Sequence, residues 1–158
     1  LEAKGLRPVG EADRFTWLRR VTFDLAGLPP SVAEIRAFEK DTSPEAHAKV
    51  VDRLLGSRAF GERWARHWLD LARYTDKTAS WLNSTASAWR YRDWVVGALN
   101  RDLPYNQFVK QQLANDLIQD SDPKDNAALG FLGLSPTYWK ELQLPPEIIK
   151  TTVADEWE

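Results

Sequence analysis

The residues best equipped for chemistry lie in one stretch, Ser57 to Tyr74, reading SRAFGERWARHWLDLARY. It carries His67, one of two histidines in 158 residues, with Asp70 three positions on. On a helix that spacing lets a carboxylate hold an imidazole in one tautomer and raise its basicity, as a general base or a metal ligand requires. A dyad still needs a nucleophile or substrate group beside it, and the sequence places none. The favoured alternative is a histidine tied into a buried polar network beside Trp64 and Trp68. Asp76 is the third acidic candidate. In a hydrolase acting on polysaccharide, His67, Asp70 and Asp76 would lie near the site, with two acids ~5–9.5 Å apart and one raised pKa.

Arginines form the second constellation. Arg63, Arg66 and Arg73, with Arg90 and Arg92 further on, face Glu62, Asp70, Asp76 and Asp93. The guanidinium fork pairs bidentately with carboxylates and stacks on indoles. The expected arrangement is a helix-to-helix ion-pair network among tryptophans; the functional counterpart is a clamp for an anionic ligand or partner, centred on Arg66 and Arg90. Eight tryptophans suggest an indole-rich core, since each buries about 150–250 Å². Two stand apart: Trp81 in the polar run 75–87, and Trp139 beside Tyr138 in the tail. Together they could form an aromatic platform for a sugar or a partner protein.

Other chemistries find little support. The run Asp120-Ser121-Asp122-Pro123-Lys124-Asp125-Asn126 lacks the alternating acids of a calcium loop, and Phe131 stands at its twelfth position. Two distant histidines and no cysteine argue against a closed zinc site, a disulfide or haem attached within these residues. No cofactor or metal is expected in this chain. There is no phosphate-cradling glycine loop and no Gly-x-Ser-x-Gly elbow. A net charge of −2 with no basic block argues against nucleic acid as the main partner. No apolar run approaches ~18 residues, so no transmembrane segment is expected. No signal peptide is read. The start at Leu1 and the lack of methionine suggest a fragment or processed product of a multidomain protein, with 1–158 as a single helical domain.

The elements that must position these residues read as helices throughout. The first spans about 11–25, with Leu18, Val21, Thr22 and Leu25 inward, Phe15 and Trp17 alongside, and Gly27 as a left-handed cap contacted by Leu28. Ser31-Val32-Ala33-Glu34 is a capping box opening a helix over 32–40 that buries Ile35 and Phe38. Ser43 should cap a third, with Pro44 at its first position, Val50, Val51, Leu54 and Leu55 along it, and an end at Gly56. His47 on it reads as a surface residue. Ser57 should cap the central helix, which places Trp64, Trp68 and Leu71 on the buried face with Ala65, Leu69 and Ala72, and His67, Asp70 and Tyr74 on an adjoining stripe. A loop follows to 87. A fifth helix covers 88–100, and a sixth 104–119 with Phe108, Val109, Leu113 and Leu117 inward. A turn over 120–126 leads to a short helix near 123–130. The tail is proline-interrupted, and a further helix could occupy 148–158. The fold class is all-α, an irregular orthogonal bundle of about six helices.

Four runs, LRRVTFDLAGLPPS (18–31), VDRLLGSRAFGERWARHWLDLARYTD (51–76), AWRYRDWVVGALNRDLPYNQFVKQQLANDL (88–117) and ALGFLGLSP (128–136), with VADEWE at the end, resemble the planctomycete cytochrome c-associated domain family, whose function is unknown. The resemblance covers nearly the whole chain, except 77–87. It implies a large exported protein, hence a periplasmic or otherwise extracytoplasmic location. It also implies neighbouring domains, a cytochrome-like module among them, and a following Cys-x-x-Cys-His segment that would give the parent protein haem or metal. The expected function is a helical scaffold or interaction domain serving an electron-transfer assembly, with other domains or subunits of a cytochrome-containing complex as partners. Within this fragment it is non-catalytic. The alternative is a hydrolase or carbohydrate-binding module acting on polysaccharide.

Overall fold

The computed structural model describes residues 2–5, 10–75 and 88–134; Asp76, Trp81, Tyr138, Trp139 and the stretch 148–158 lie outside them. Among the described residues the chain is all-helical, without a strand. Six α-helices follow one another: α1 (Arg14–Ala26), α2 (Val32–Lys40), α3 (Ala46–Leu55), α4 (Arg58–Leu71), α5 (Ala88–Asn100) and α6 (Tyr105–Ala114). Short 3-10 segments cover Glu2–Lys4, Asn115–Leu117 and Pro123–Gly133.

The first three helices enclose a small core of Leu18, Phe38, Ala46, Val50 and Leu54, with Trp17, Val21, Leu25, Ala26 and Ile35 against it. Local signals set their ends. Asp13 caps α1 by accepting from the Thr16 N–H at 2.9 Å and from the Thr16 hydroxyl at 2.7 Å. Gly27 closes the helix at φ 76° and donates to the Phe23 carbonyl. Leu28, expected beneath this cap, is exposed; the Arg63 side chain fills the space beside Gly27, 3.0 Å from where a Cβ would stand. Phe15 is exposed as well.

The capping box is present in both directions: Glu34 N–H to Ser31 Oγ at 3.3 Å and Ser31 N–H to Glu34 Oε2 at 2.7 Å. The start of α3 differs from expectation. Ser43 does not cap it; its N–H donates to Asp41 Oδ1 and its hydroxyl accepts from Lys49 Nζ, closing a turn that delays the helix to Ala46. Leu55 is exposed while Val50 and Leu54 are buried.

The second core is larger: Ala65, Tyr91, Trp94, Val95, Ala98, Phe108 and Ala128, flanked by Trp68, Leu69, Ala72 and Tyr74 among others. Here α5 packs on α4, and the 3-10 segment Pro123–Gly133 packs on α5 and α6. Both α4 and α5 end in a Schellman turn on a residue other than glycine. Tyr74 N–H reaches Leu69 O and Arg73 N–H reaches Asp70 O, with Arg73 at φ 55°. Leu103 and Asp102 repeat this on Ala98 and Leu99, with Asp102 at φ 51°. The sixth helix stops five residues before the expected 119. Ala114 leaves helical geometry at φ −157°, and Asn115 spends its amide on Asn126 Oδ1 and its carbonyl on the Ser121 hydroxyl. Leu113 and Leu117, expected inside, are exposed.

Candidate functional site

The chemistry-bearing residues centre on α4, whose two sides have different characters. Its buried face is not the one the tryptophan spacing suggests. Gly61 and Ala65 are its buried residues, and Trp68, Leu69 and Ala72 continue the stripe at i+7, i+8 and i+11 from Gly61. Gly61 is required by close approach. A Cβ there would lie 2.5 Å from the Asn100 side chain and 2.6 Å from the Val96 carbonyl oxygen. The Gly61 N–H donates to Asn100 Oδ1 at 2.8 Å, and Asn100 Nδ2 donates to the Arg58 carbonyl at 3.2 Å. The approach leaves no room for a side chain at Gly61 itself, and Trp64, expected to anchor the bundle, stands 41% exposed. Leu71 is 78% exposed.

At the other end of the seam lies a buried polar triangle. Trp68 Nε1–H is shared between Tyr91 Oη and Gln112 Oε1, both at 2.9 Å, and the Tyr91 hydroxyl donates to Gln112 Oε1 at 2.7 Å. Gln112 Nε2 donates to the Phe108 carbonyl at 3.0 Å. Every polar side-chain atom of the triangle thus has a partner, as burial demands. Burial pushes the Tyr91 phenol up to about 12, opposed in part by the Trp68 hydrogen bond. The apolar-stripe reading passes over Gln112, although it follows Phe108 by four and precedes Asn115 by three. That spacing, with tryptophan and tyrosine donors elsewhere in the chain, is the signal the sequence offers.

A second hub is Asp125. It accepts from Trp94 Nε1 and from Arg101 Nη2, each at 2.8 Å, and at 3.5 Å from Gln111 Nε2. The acidic run 120–126 therefore serves the fold: Asp122 caps the 3-10 segment through the Lys124 N–H, and Asp125 ties it to α5. Among the described residues no group of three or more His, Asp or Glu is placed to hold a metal ion.

Among the described residues no hydrogen bond or ion pair joins the candidates His67, Asp70, Arg66 and Arg90; Asp76, Trp81 and Trp139 lie outside them. His67 is exposed rather than part of a buried network, its ring centroid 5.3 Å from that of Trp64. Asp70 is exposed too, and no hydrogen bond joins it to His67. Tyr74 leaves their stripe because the turn at Arg73 redirects the chain; its ring lies 6.2 Å from Tyr91 in the core. Arg66 is exposed with no ion pair among the described residues. Arg90 stacks over its neighbour Trp89 at 5.6 Å. Among the described residues the ion pairs of α4 and α5 are Arg58–Glu62 and Arg92–Asp93, each within one helix, while Asn100 and the Trp68–Tyr91–Gln112 triangle cross the seam; Asp76, a member of the expected network, lies outside the described residues. His47 is exposed, yet packed at 4.4 Å against Trp17 and 5.2 Å against Phe38.

Exposed on α4 are Trp64, His67 and Leu71, with the half-buried Phe60 one turn before Trp64. The Phe60 and Trp64 ring centroids lie 6.1 Å apart and those of Trp64 and His67 5.3 Å apart, both pairs tilted. Fold and surface together define an all-helical domain with a locked helix seam and an apolar outer stripe. Its sequence matches, over residues 1–156, the PSCyt2 family, described as a protein of unknown function (DUF1549), and the chain belongs to that family. No curated protein and no solved structure matches it.

Proposed function

We propose that this chain is a helical interaction domain of an exported, cytochrome-associated protein, holding a redox module or another subunit in an electron-transfer assembly. The observation that carries the reading is the contrast within α4. Its inner side is held rigid by Gly61–Asn100 and Trp68–Tyr91–Gln112, while Trp64, His67 and Leu71 are displayed outward. A rigid helix presenting a large aromatic is the usual anchor of a protein interface. The sequence resemblance supports the cytochrome context, the extracytoplasmic location and haem in the parent protein.

Purification of the parent polypeptide tests the reading. Haem absorbance, or a c-type cytochrome that co-purifies, is the expected result; absence of both overturns the redox part. The competing polysaccharide hydrolase would place His67 and Asp70 at a reacting bond. Glycan cleavage by the purified chain, lost in both His67→Ala and Asp70→Asn, would overturn the non-catalytic part.

A further inference from the structure

We propose that the cavity between α1 and α2 binds a small amine, a monocation with one aromatic or branched apolar body. The site lies at the first core, away from α4, and goes beyond the interaction-domain reading without resting on it. The cavity encloses about 350 Å³. Its floor is apolar: Leu18 and Phe38, both buried, with Ile35 beside them. Phe15 forms a wall, 50% exposed and in no ring contact among the described residues. Arg14 accounts for the space. Its Nη2 donates to the Phe38 carbonyl at 2.7 Å and to the Asp41 carbonyl at 2.8 Å, and its guanidinium carbon lies 4.1 Å over the Phe38 ring. The start of α1 is thus tied to the end of α2 by a polar strut rather than by interdigitating apolar groups. At the ~30 Å³ that one water occupies in the liquid, the volume takes roughly ten non-hydrogen atoms. A ligand of that size would bury most of its apolar body on Phe15, Leu18 and Ile35.

Charge selects the polar end of the ligand. The walls carry two carboxylates, Asp13 and Glu39, against one guanidinium, Arg14. That guanidinium is already committed to two carbonyls and one ring face. The Thr16 hydroxyl and N–H hold the Asp13 carboxyl below the usual carboxylate range, so it stays ionised. Glu39 is exposed, and neither Arg36 nor Lys40, its neighbours on α2, forms an ion pair with it among the described residues. An ammonium therefore meets an uncompensated carboxylate and the free Phe15 ring in the same cavity. A carboxylate or phosphate would meet net negative charge instead.

The test is a protein-observed NMR titration of the 158-residue chain with phenethylamine, protonated at neutral pH, and with its neutral and anionic counterparts, phenethyl alcohol and hydrocinnamate. The amine should bind about fivefold or more tighter than the alcohol, and hydrocinnamate more weakly still, with shifts centred on Phe15, Leu18, Ile35 and Phe38. Glu39→Gln should cost the amine about threefold and leave the alcohol unchanged. Asp13→Asn keeps the α1 cap, because asparagine caps as well as aspartate. Combined with Glu39→Gln it should remove the amine's advantage and let hydrocinnamate gain. Phe15→Ala should weaken amine and alcohol alike; the surface variant Glu39→Gln keeps the test decisive if that change disturbs the fold. Equal binding of amine and alcohol, tighter binding of hydrocinnamate than of the amine to the unaltered chain, shifts centred on α4 or α5, or no binding of any of the three would each overturn the proposal. Tighter binding of a Phe-Gly-Gly amide than of phenethylamine would assign the cavity to a peptide terminus and overturn the small-amine reading too. These outcomes bear on the α1–α2 cavity alone, and co-purification of the parent decides the interaction-domain reading separately.

Discussion

The two cores of this chain are held together differently. In the N-terminal unit, α1 to α3, the polar groups are mostly caps and surface pairs, Asp13 on Thr16, Ser31 with Glu34, Glu34 with Arg53, Lys49 with Asp41, with one longer tie at the rim from Arg14 Nη2 to the Phe38 and Asp41 carbonyls. Each joins residues near in sequence or sits at the rim, and the interior is apolar apart from Thr22, whose hydroxyl donates to Leu18 O. In the C-terminal unit, polar side chains are inside. Gln112 is 2% exposed and Asn115 fully enclosed, and besides near neighbours their side chains bond to residues 11 to 44 positions away. The first unit is built from local rules that cost little to break singly. The second depends on long-range complementarity, in which one lost partner strands another.

That contrast sets the expected sizes of perturbation. Gly61→Ala should be the most damaging, at about 3 kcal/mol, because the added methyl meets both Asn100 and the Val96 backbone. Urea unfolding checks it; a neutral result would mean that the α4–α5 seam has slack to absorb a methyl group. Gln112→Leu removes the acceptor of the Tyr91 hydroxyl inside the core and should cost about 2 kcal/mol. Pairing it with Tyr91→Phe in a double-mutant cycle should recover part of that loss, a coupling of about 1 kcal/mol. Additive losses would sink the picture of a cooperative triangle.

Ser31→Ala, which breaks a local cap in the N-terminal unit, should cost only about 1 kcal/mol. A loss as large as that of Gln112→Leu would erase the distinction between the units.

The smallest effect is in pH, and the two units respond at opposite ends. Hydrogen bonds from Ser43, with Lys49 behind them, hold Asp41 down at about 2. The Ser31 N–H, its hydroxyl and Arg53 hold Glu34 below the usual carboxylate range against a desolvation cost. Depressed carboxylates stabilise the fold above their ordinary values, so stability should fall as pH drops from about 4 toward 2. Tyr91 is shifted upward by burial of its neutral form, so stability should decline as pH rises from 10.0 toward about 12. Melting temperatures across pH should show Asp41→Asn flattening the acid arm and Tyr91→Phe the alkaline arm. The reverse pairing would refute the assignment.

Much of the fold was legible. The spans 32–40 and 88–100, the capping box, the left-handed Gly27 and the Asp122 turn all follow from side-chain chemistry acting within four residues. Less of the site was. The tryptophan spacing on α4 suggests Trp64 and Leu71 as core, whereas Gly61, Ala65 and Trp68 hold the inner face, and at Gly61 α5 comes too close for any side chain. Hydrophobicity points Leu113 and Leu117 inward, whereas Gln112 and Asn115 are the buried residues. A buried amide is stable only when its partners are already in place, and those partners stand on other elements.

By itself, then, the sequence determined the all-helical class, most helix boundaries and membership of a family, since local propensity and capping depend on neighbours in the chain. The tertiary structure alone decided which face of α4 is buried, which polar residues enter the core, and that His67 and Trp64 face outward. Those outcomes depend on how closely two helices approach. That distance is set by the packing of many side chains at once, and no residue type or spacing encodes it alone.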